Sequence, residues 1–410
     1  MKNRLMKAVS VLLLMACMTG CGADHSEEQA SEQVMMEFAG TENPSENAPR
    51  AAVAVKSKPQ QKEDAQGLNT ELFDGQSISI WKGKGNTLVA LKEDTFYLYD
   101  VASAQIEAQT KTEHWNSVTV YSYKGGYCAI GEITKGNTAG STAAESGPTA
   151  MEGREDGRES RGIFYDDSLK ETRSVLLDDI VPDAVWAAWA VSSDGTMLGY
   201  YDFWGGLNLY DLESRKKQQI LDTGSDGNSA GLLNIDALFF DETDSRLVFT
   251  GQTDQSGRSA ESWGRIDIDG TGFENHVLEY DLGMATGYSA GKLLLGEDSI
   301  FFKNRMGVVN AKTGEAVYHA NTENALPVSG PFFSDDGTVY ATAALGTNQM
   351  EVAVWWTEDF TLVSKEVIRD DREEMFYRSP HICLFPELRA CIVCMGGHND
   401  IPQKAVLLNY

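Results

Sequence analysis

Short runs in which apolar and polar residues alternate dominate the chain from about residue 68 to its end. Examples are SISIWKG (77–83), TLVALK (87–92), TFYLYD (95–100), SVTVYSY (117–123), GIFYDD (162–167) and AVLLNY (405–410). They are rich in Val, Ile, Tyr, Phe and Thr, and Gly, Asp, Asn and Ser bound them. A period of two with such boundaries is the pattern of half-buried strands. No stretch of twelve or more residues places its apolar positions at helical spacing, so the body is expected to be all-β.

The strands recur in fours. In 184–221 an apolar strand meets the tight turn SSDG, followed by TMLGYYD, then LNLYD, then the turn LESR and a more polar fourth strand. The same grammar appears at 237–279 and 332–368. With the first hairpin turn as anchor, copies fall near Gly85, Gly125, Gly195, Asp244, Asp298, Gly337 and Leu388. Most intervals lie between 39 and 54 residues. The exception, 70, contains a low-complexity stretch at 134–160 that reads as an inserted loop. Four strands every 40 to 50 residues is the signature of a β-propeller, and seven copies predict seven blades. The last copy stops at its third strand. The spare segment LNTELFD (68–74) is expected to supply the missing outer strand of that blade and close the ring. An open or six-bladed array is the alternative. The turn sequences in VSSDGTMLGYY (191–201) and FFSDDGTVYATA (332–343) resemble the repeats of TolB-type and WD-repeat-like propellers. IDIDGTG (266–272) is similar to their second hairpin turn. This resemblance implies a binding or scaffolding module more than a reaction.

The N-terminus bears on compartment. A basic segment with Lys2, Arg4 and Lys7 precedes AVSVLLLMACM, an apolar stretch short for a membrane span, and together they read as a secretory signal. It ends in MTGC (18–21), which resembles the lipobox of bacterial lipoproteins. The resemblance implies cleavage after residue 20, diacylation of Cys21, and a mature protein held by its lipid at the extracytoplasmic side of the cell membrane. Ordinary secretory cleavage nearby is the alternative. Residues 21–66 then form a lipid-anchored acidic tether, rich in Glu, Gln, Ser and Ala. Such composition buries too little apolar surface to offset the entropy of ordering. As a coil its ends would lie roughly 35–40 Å apart. The propeller body is expected over 67–410.

Charge narrows the partners. The formal net charge is −27, and loss of a signal carrying three positive charges and no acids makes it −30. That argues against nucleic acid and anionic headgroups as ligands. The membrane enters through the lipid anchor alone, and a protein or cell-envelope ligand is the expected partner.

Several short motifs carry candidate chemistry. GYSAG (287–291) matches the G-x-S-x-G nucleophile elbow, with Ser289 in the nucleophile position. The elbow needs a buried strand before it and a helix after it. Here KLLLG resumes as a strand, so Ser289 is expected on the first strand of blade five, with Gly287 and Gly291 packed at the narrow centre. Sialidase propellers carry a repeat turn of different spacing. CIVC (391–394) mimics a redox or zinc motif, but positions i and i+3 of a strand face opposite sides. A disulfide joining Cys383 to Cys391 or Cys128 stands beside buried free thiols as an alternative. DIDGTG (267–272) lacks the ligand spacing of a calcium loop. The six histidines are scattered, and no phosphate-binding loop occurs. No catalytic group, metal or cofactor is therefore expected.

Binding is expected on the face that carries the second-to-third-strand loops and the connections between blades. Trp115, Trp204, His398 and Asp400 are the candidate ligand-face residues, because loop aromatics and polar groups can grip a sugar ring or a partner's side chain. Trp186 and Trp189 read as core residues of a first strand. The sequence thus points to a lipid-anchored propeller that binds without catalysis. The alternative is an extracytoplasmic propeller enzyme, a lyase or hydrolase acting on glycans.

Overall fold

Seven antiparallel sheets follow one another along the chain in a computed structural model. It describes residues 67–73, 78–134, 157–182, 184–202, 206–223, 231–280, 282, 284–296, 304–321, 328–346, 348–370, 380–396 and 403–410. Blade one comprises β1 (Ile78–Lys82), β2 (Thr87–Lys92), β3 (Thr95–Asp100) and β4 (Gln105–Lys111). Blade two comprises β5 (His114–Tyr123), β6 (Gly126–Thr134), β7 (Arg158–Asp166) and β8 (Glu171–Leu176). Blade three is β9 (Ala188–Val191), β10 (Met197–Asp202), β11 (Gly206–Asp211) and β12 (Lys216–Leu221). Blade four is β13 (Leu232–Phe240), β14 (Arg246–Gln255), β15 (Arg258–Asp267) and β16 (Glu274–Val277). Blade five holds β17 (Met284–Ser289), β18 (Lys292–Gly296), β19 (Asn304–Asn310) and β20 (Ala316–Asn321). Blade six holds β21 (Val328–Phe333), β22 (Val339–Leu345), β23 (Gln349–Trp356) and β24 (Leu362–Arg369). Blade seven has three strands, β25 (His381–Phe385), β26 (Ala390–Met395) and β27 (Lys404–Asn409). Every sheet is a meander in which neighbours in sequence are neighbours in the sheet. The protein is an all-β, seven-bladed propeller.

Alternation puts apolar side chains on both faces of each blade, and each face is covered by the next blade. Seven buried clusters result, one at each junction. Blades one and two meet through Val89, Phe96, Trp115 and Ile163, and blades six and seven through Val352, Val354, Leu384 and Val393. The ring closes where Phe385, Ile392 and Cys394 of blade seven pack on Ile78, Ile80 and Tyr99 of blade one.

Several expectations require correction. Residues 68–74 do not add a strand to blade seven, because Thr70–Phe73 is a single helical turn. Its Leu72 and Phe73 are each 2% exposed and wedge into the junction of blades seven and one. Among the described residues the outer edge of β27 carries no fourth strand. The segment therefore closes the ring by side-chain packing rather than by backbone pairing. In blade five the first hairpin turns at Ala290–Gly291, between Ser289 and Lys292, and not near Asp298. The inserted loop is shorter than expected, since Thr134 and residues 158–160 belong to β6 and β7. The other six turn anchors fall in or at the edge of the connections between first and second strands.

The repeated S-x-D-G-T turn has a plain physical basis. In blade three the buried Ser192 donates its hydroxyl to Asp194 at 2.8 Å and accepts the Met197 amide at 2.9 Å. Asp194 also accepts the Thr196 amide and hydroxyl at 2.9 and 2.8 Å. Ser334, Asp336 and Thr338 repeat this arrangement in blade six. Partial burial pushes both carboxyl groups up, but the hydrogen bonds together outweigh it and hold them below the usual aspartate range. A depressed carboxyl pKa stabilises the fold above the unfolded value, near 3.9, and that stability is lost as pH falls through the folded value. Melting temperature is accordingly expected to drop below about pH 4. In the Asp194→Asn/Asp336→Asn variant, which keeps the acceptor oxygens, this acid-limb slope should be shallower. Thermal melts between pH 2.5 and 7 check both.

Candidate ligand-binding site

A candidate site lies where the innermost strands of blades two, three and four approach one another. A β-bulge interrupts β5 between Trp115 and Ser117, and two more interrupt β13 between Leu232 and Ala237. A bulge bends its strand and re-aims the extra side chain. Gly131 pairs with Val118 just past the bulge in β5, where a Cβ would stand 2.0 Å from the Ser117 carbonyl oxygen, so only glycine admits this approach. The extra residue in the second β13 bulge is Asp236. Its carboxylate accepts a hydrogen bond from the side-chain amide of Asn234.

Between these strands is a cavity of about 450 Å³. Tyr121 and Ile130 of blade two, Trp189 of blade three, and Asp236 and Phe239 of blade four contribute to its walls. Trp189 is pinned in place. Its indole nitrogen donates to the Ala184 carbonyl at 2.9 Å and its ring stacks on Tyr200 at 5.1 Å. Its own carbonyl accepts the Tyr121 hydroxyl at 3.1 Å. Burial raises the Tyr121 pKa, so the phenol stays protonated and donates.

The connection into blade three contains a 3-10 turn, Ala184–Trp186. Trp186 is 54% exposed, and its chain neighbours Val185 and Ala187 both line the cavity. This corrects the expectation that Trp186 is core, while Trp189, 6% exposed, is core as expected. Alternation along an uninterrupted strand would have buried or exposed each by parity; the 3-10 turn breaks the strand and releases Trp186 outward. The dipeptide Pro182-Asp183, a turn signal, was the clue in the sequence.

Of the candidates read from sequence, Trp115 lies at the blade one–two junction. It is 8% exposed, packs edge-on to Phe96 at 6.4 Å and donates to the Thr112 hydroxyl at 3.0 Å. Trp204, His398 and Asp400 lie outside the described residues, as does Cys21. Trp204 falls in the β10–β11 connection, and His398 and Asp400 in the β26–β27 connection. The structure therefore does not bring Trp115 to the cavity and leaves the other three unplaced.

The GYSAG segment is a hairpin. Ala290 and Gly291 have φ of 49° and 73°, the left-handed values of a two-residue turn. Gly291 thus serves the turn and not the centre. At Gly287 a Cβ would come within 3.1 Å of Phe333 in blade six. The Ser289 hydroxyl donates to the main-chain carbonyl of Asp335, which ties blade five to blade six. A carbonyl oxygen cannot take up the proton that a nucleophilic serine must lose. Similar ties run around this face: Lys124 N–H to the Ser193 carbonyl, Ser193 to Asp244, and Lys82 to Asp335 at 2.9 Å.

Cys383 and Cys394 pack toward blade one and Cys391 toward blade six, so the two thiols of CIVC face opposite sides. All four described cysteines are free and buried, and burial pushes the Cys383 and Cys391 thiols up to about 12. Among the described residues no three His, Cys, Asp or Glu side chains are grouped so as to hold a metal.

No protein-family model matches the chain, and no curated protein matches it. Solved structures do. The β-propeller domain of Cps50 (Swd1) from Myceliophteria thermophila aligns over 81% of this chain and 95% of its own, with a TM-score of 0.50 and 12% identity. Raptor from Chaetomium thermophilum aligns over 82% of this chain and 28% of its own, with a TM-score of 0.47 and 8% identity. The body shares the β-propeller fold of the first of these. At such identity the likeness is one of fold.

Two outcomes are expected of substitutions here. Trp189→Ala should cost about 3–5 kcal/mol of stability and Trp186→Ala less than about 0.5, as read by denaturant unfolding. Ser289→Ala should cost about 1 kcal/mol, and a fluorophosphonate probe should label neither that variant nor the parent at residue 289.

Proposed function

We propose that this chain is a lipid-anchored extracytoplasmic lipoprotein whose propeller binds a protein or cell-envelope ligand without catalysing a reaction. One observation carries the binding part: a tryptophan more than half exposed, fixed on a short turn beside a cavity walled by aromatic and aliphatic side chains. An exposed tryptophan is costly to leave in water, and such residues dominate the energetics of interfaces. The rigid β-scaffold holds it without an ordering cost at binding.

The anchor rests on the MTGC segment and the basic-apolar run before it. Several buried acyl chains, at about 0.8 kcal/mol per methylene, make such attachment stable. The acidity of the chain sets protein and neutral envelope components above nucleic acid as ligands.

Cys21→Ser should abolish incorporation of a fatty-acid probe and release the protein from the membrane fraction. Continued labelling of that variant would refute the anchor. Trp186→Ala should reduce cross-linking of the anchored protein to its envelope partner by at least about tenfold, the effect of an interface hot spot. Undiminished cross-linking would place the binding surface elsewhere.

A further inference from the structure

Blade seven is one strand short among the described residues, and the consequence shows along β27. The third strands of the other six blades all hold fully covered side chains, such as Tyr99, Trp263 and Val309. No residue of β27 is covered to that degree. Its backbone is half-finished in the same way. The Tyr410 N–H donates to the Arg389 carbonyl, on the β26 side, at 2.7 Å. In an antiparallel pair, alternate residues point their N–H and C=O to the same side. Val406 and Leu408 are therefore turned to β26. Ala405, Leu407 and Asn409 turn theirs outward, where no strand of the described residues lies. Such an edge is a template for another chain.

The edge is also recessed. Blades six and one, on either side, each carry a fourth strand, β24 and β4, so β27 lies one strand spacing, about 4.8 Å, inside the rim they define. The slot admits one strand. The same edge of a second copy is set back equally, and the rims of the two copies would meet before their β27 strands came within pairing distance. Val406 and Leu408 share an apolar cluster with Val363 and Ile368 of β24, while Ala405 and Leu407 share one with Ile106 of β4. A strand laid on β27 thus meets apolar neighbours on both of its faces.

We propose that the outer edge of β27 is a docking slot for one extended segment of a second protein, about as long as the six residues of β27, with β-branched or small side chains along it and Lys or Arg at its ends. The outward N–H and C=O groups supply the attraction and the flanking blades select the side chains. The basic ends follow from charge. The chain carries −27, and its own residues 21–66 hold nine Asp and Glu against four Lys and Arg, so the field favours a basic foreign segment over that acidic stretch. The slot is separate from the turn that carries Trp186, which leads into blade three, so either surface can fail without the other.

The probe is the peptide acetyl-Lys-Val-Ala-Val-Thr-Val-Lys-amide, added to the full-length protein in detergent and followed by residue-resolved amide hydrogen exchange. In the protein alone, Val406, Leu408 and Tyr410 should be protected and Ala405, Leu407 and Asn409 should exchange freely. Saturating peptide should slow the second set at least about tenfold. Two control peptides are compared with the probe by fluorescence anisotropy. One is N-methylated at its five central residues and so keeps the side chains without the donors; the other has Glu at both ends. Each should bind at least about tenfold more weakly. Leu407→Pro, which removes an outward N–H and leaves the pairing with β26, should weaken the probe by a similar factor. Equal binding of the parent and N-methylated peptides, failure of the probe to protect the three amides, or undiminished binding by a folded Leu407→Pro variant would each overturn the proposal. So would protection of the three amides in the protein alone. Protection independent of protein concentration would assign the edge to a segment of this chain, and protection rising with concentration would assign it to a second copy. The comparison of peptides needs no variant, so a folding defect in Leu407→Pro cannot obscure it.

Discussion

Each blade is a sheet with apolar side chains on both faces, and a sheet of that kind cannot stand alone in water. Every other feature follows from the need to cover both faces. A linear stack would leave two faces bare, whereas a closed ring leaves none. The decisive contact is the one that a linear stack lacks, between blades seven and one, where Phe385, Ile392 and Cys394 meet Ile78, Ile80 and Tyr99. Leu72 and Phe73 add to that junction from a helical turn. Burying two such side chains contributes about 1.5–3 kcal/mol each. The blade that lacks a fourth strand is thus sealed on its faces, although its outer edge is unpaired among the described residues.

Ring closure also governs where function can sit. The tight turns between first and second strands are engaged with one another, through Ser193 to Asp244, Ser289 to the Asp335 carbonyl and Lys82 to Asp335. That face is committed to holding blades together, blades three and four and five and six directly, and blades one and six from either side of blade seven. The opposite connections are longer and freer in composition, and the turn that carries Trp186 is one of them. The bulges in β5 and β13 bring Ser117 and Asp236 to the cavity wall without breaking their sheets. A rigid ring thereby presents an aromatic and a carboxylate from different blades at one place.

The GYSAG segment shows how far a short motif can mislead. Its glycines answer to a two-residue turn and to the approach of Phe333, and its serine joins two blades. The same five residues before a helix would have meant an activated nucleophile. The difference lies in what the hydroxyl faces: a base in one fold, a carbonyl oxygen in this one.

The architecture was legible in the chain because it rests on local signals. Period-two alternation marked the strands, and the Ser, Asp, Gly and Thr of the tight turns marked five of the seven first hairpins, with Pro386–Leu388 marking a sixth. That CIVC would split its thiols between two faces also followed from strand geometry alone. Where local signals were weak or ambiguous, tertiary contacts decided. LNTELFD can be written as strand or helix, and the wedge-shaped gap between blades seven and one accommodates Leu72 and Phe73 from a helical turn. The Ala290–Gly291 turn lacks the Asp-Gly of its counterparts, so Asp298 drew the assignment instead. Trp115 and Trp186 both stand near chain connections, and sequence could not tell which would be covered. Trp115 is covered because Phe96 of the neighbouring blade lies against it, whereas Trp186, on the turn between blades, stays 54% exposed. The cavity beside it is lined by residues from 117 to 239, more than a hundred positions apart along the chain. Such a site exists only once the ring has closed, since no periodicity within one blade encodes what its neighbours will bring to it.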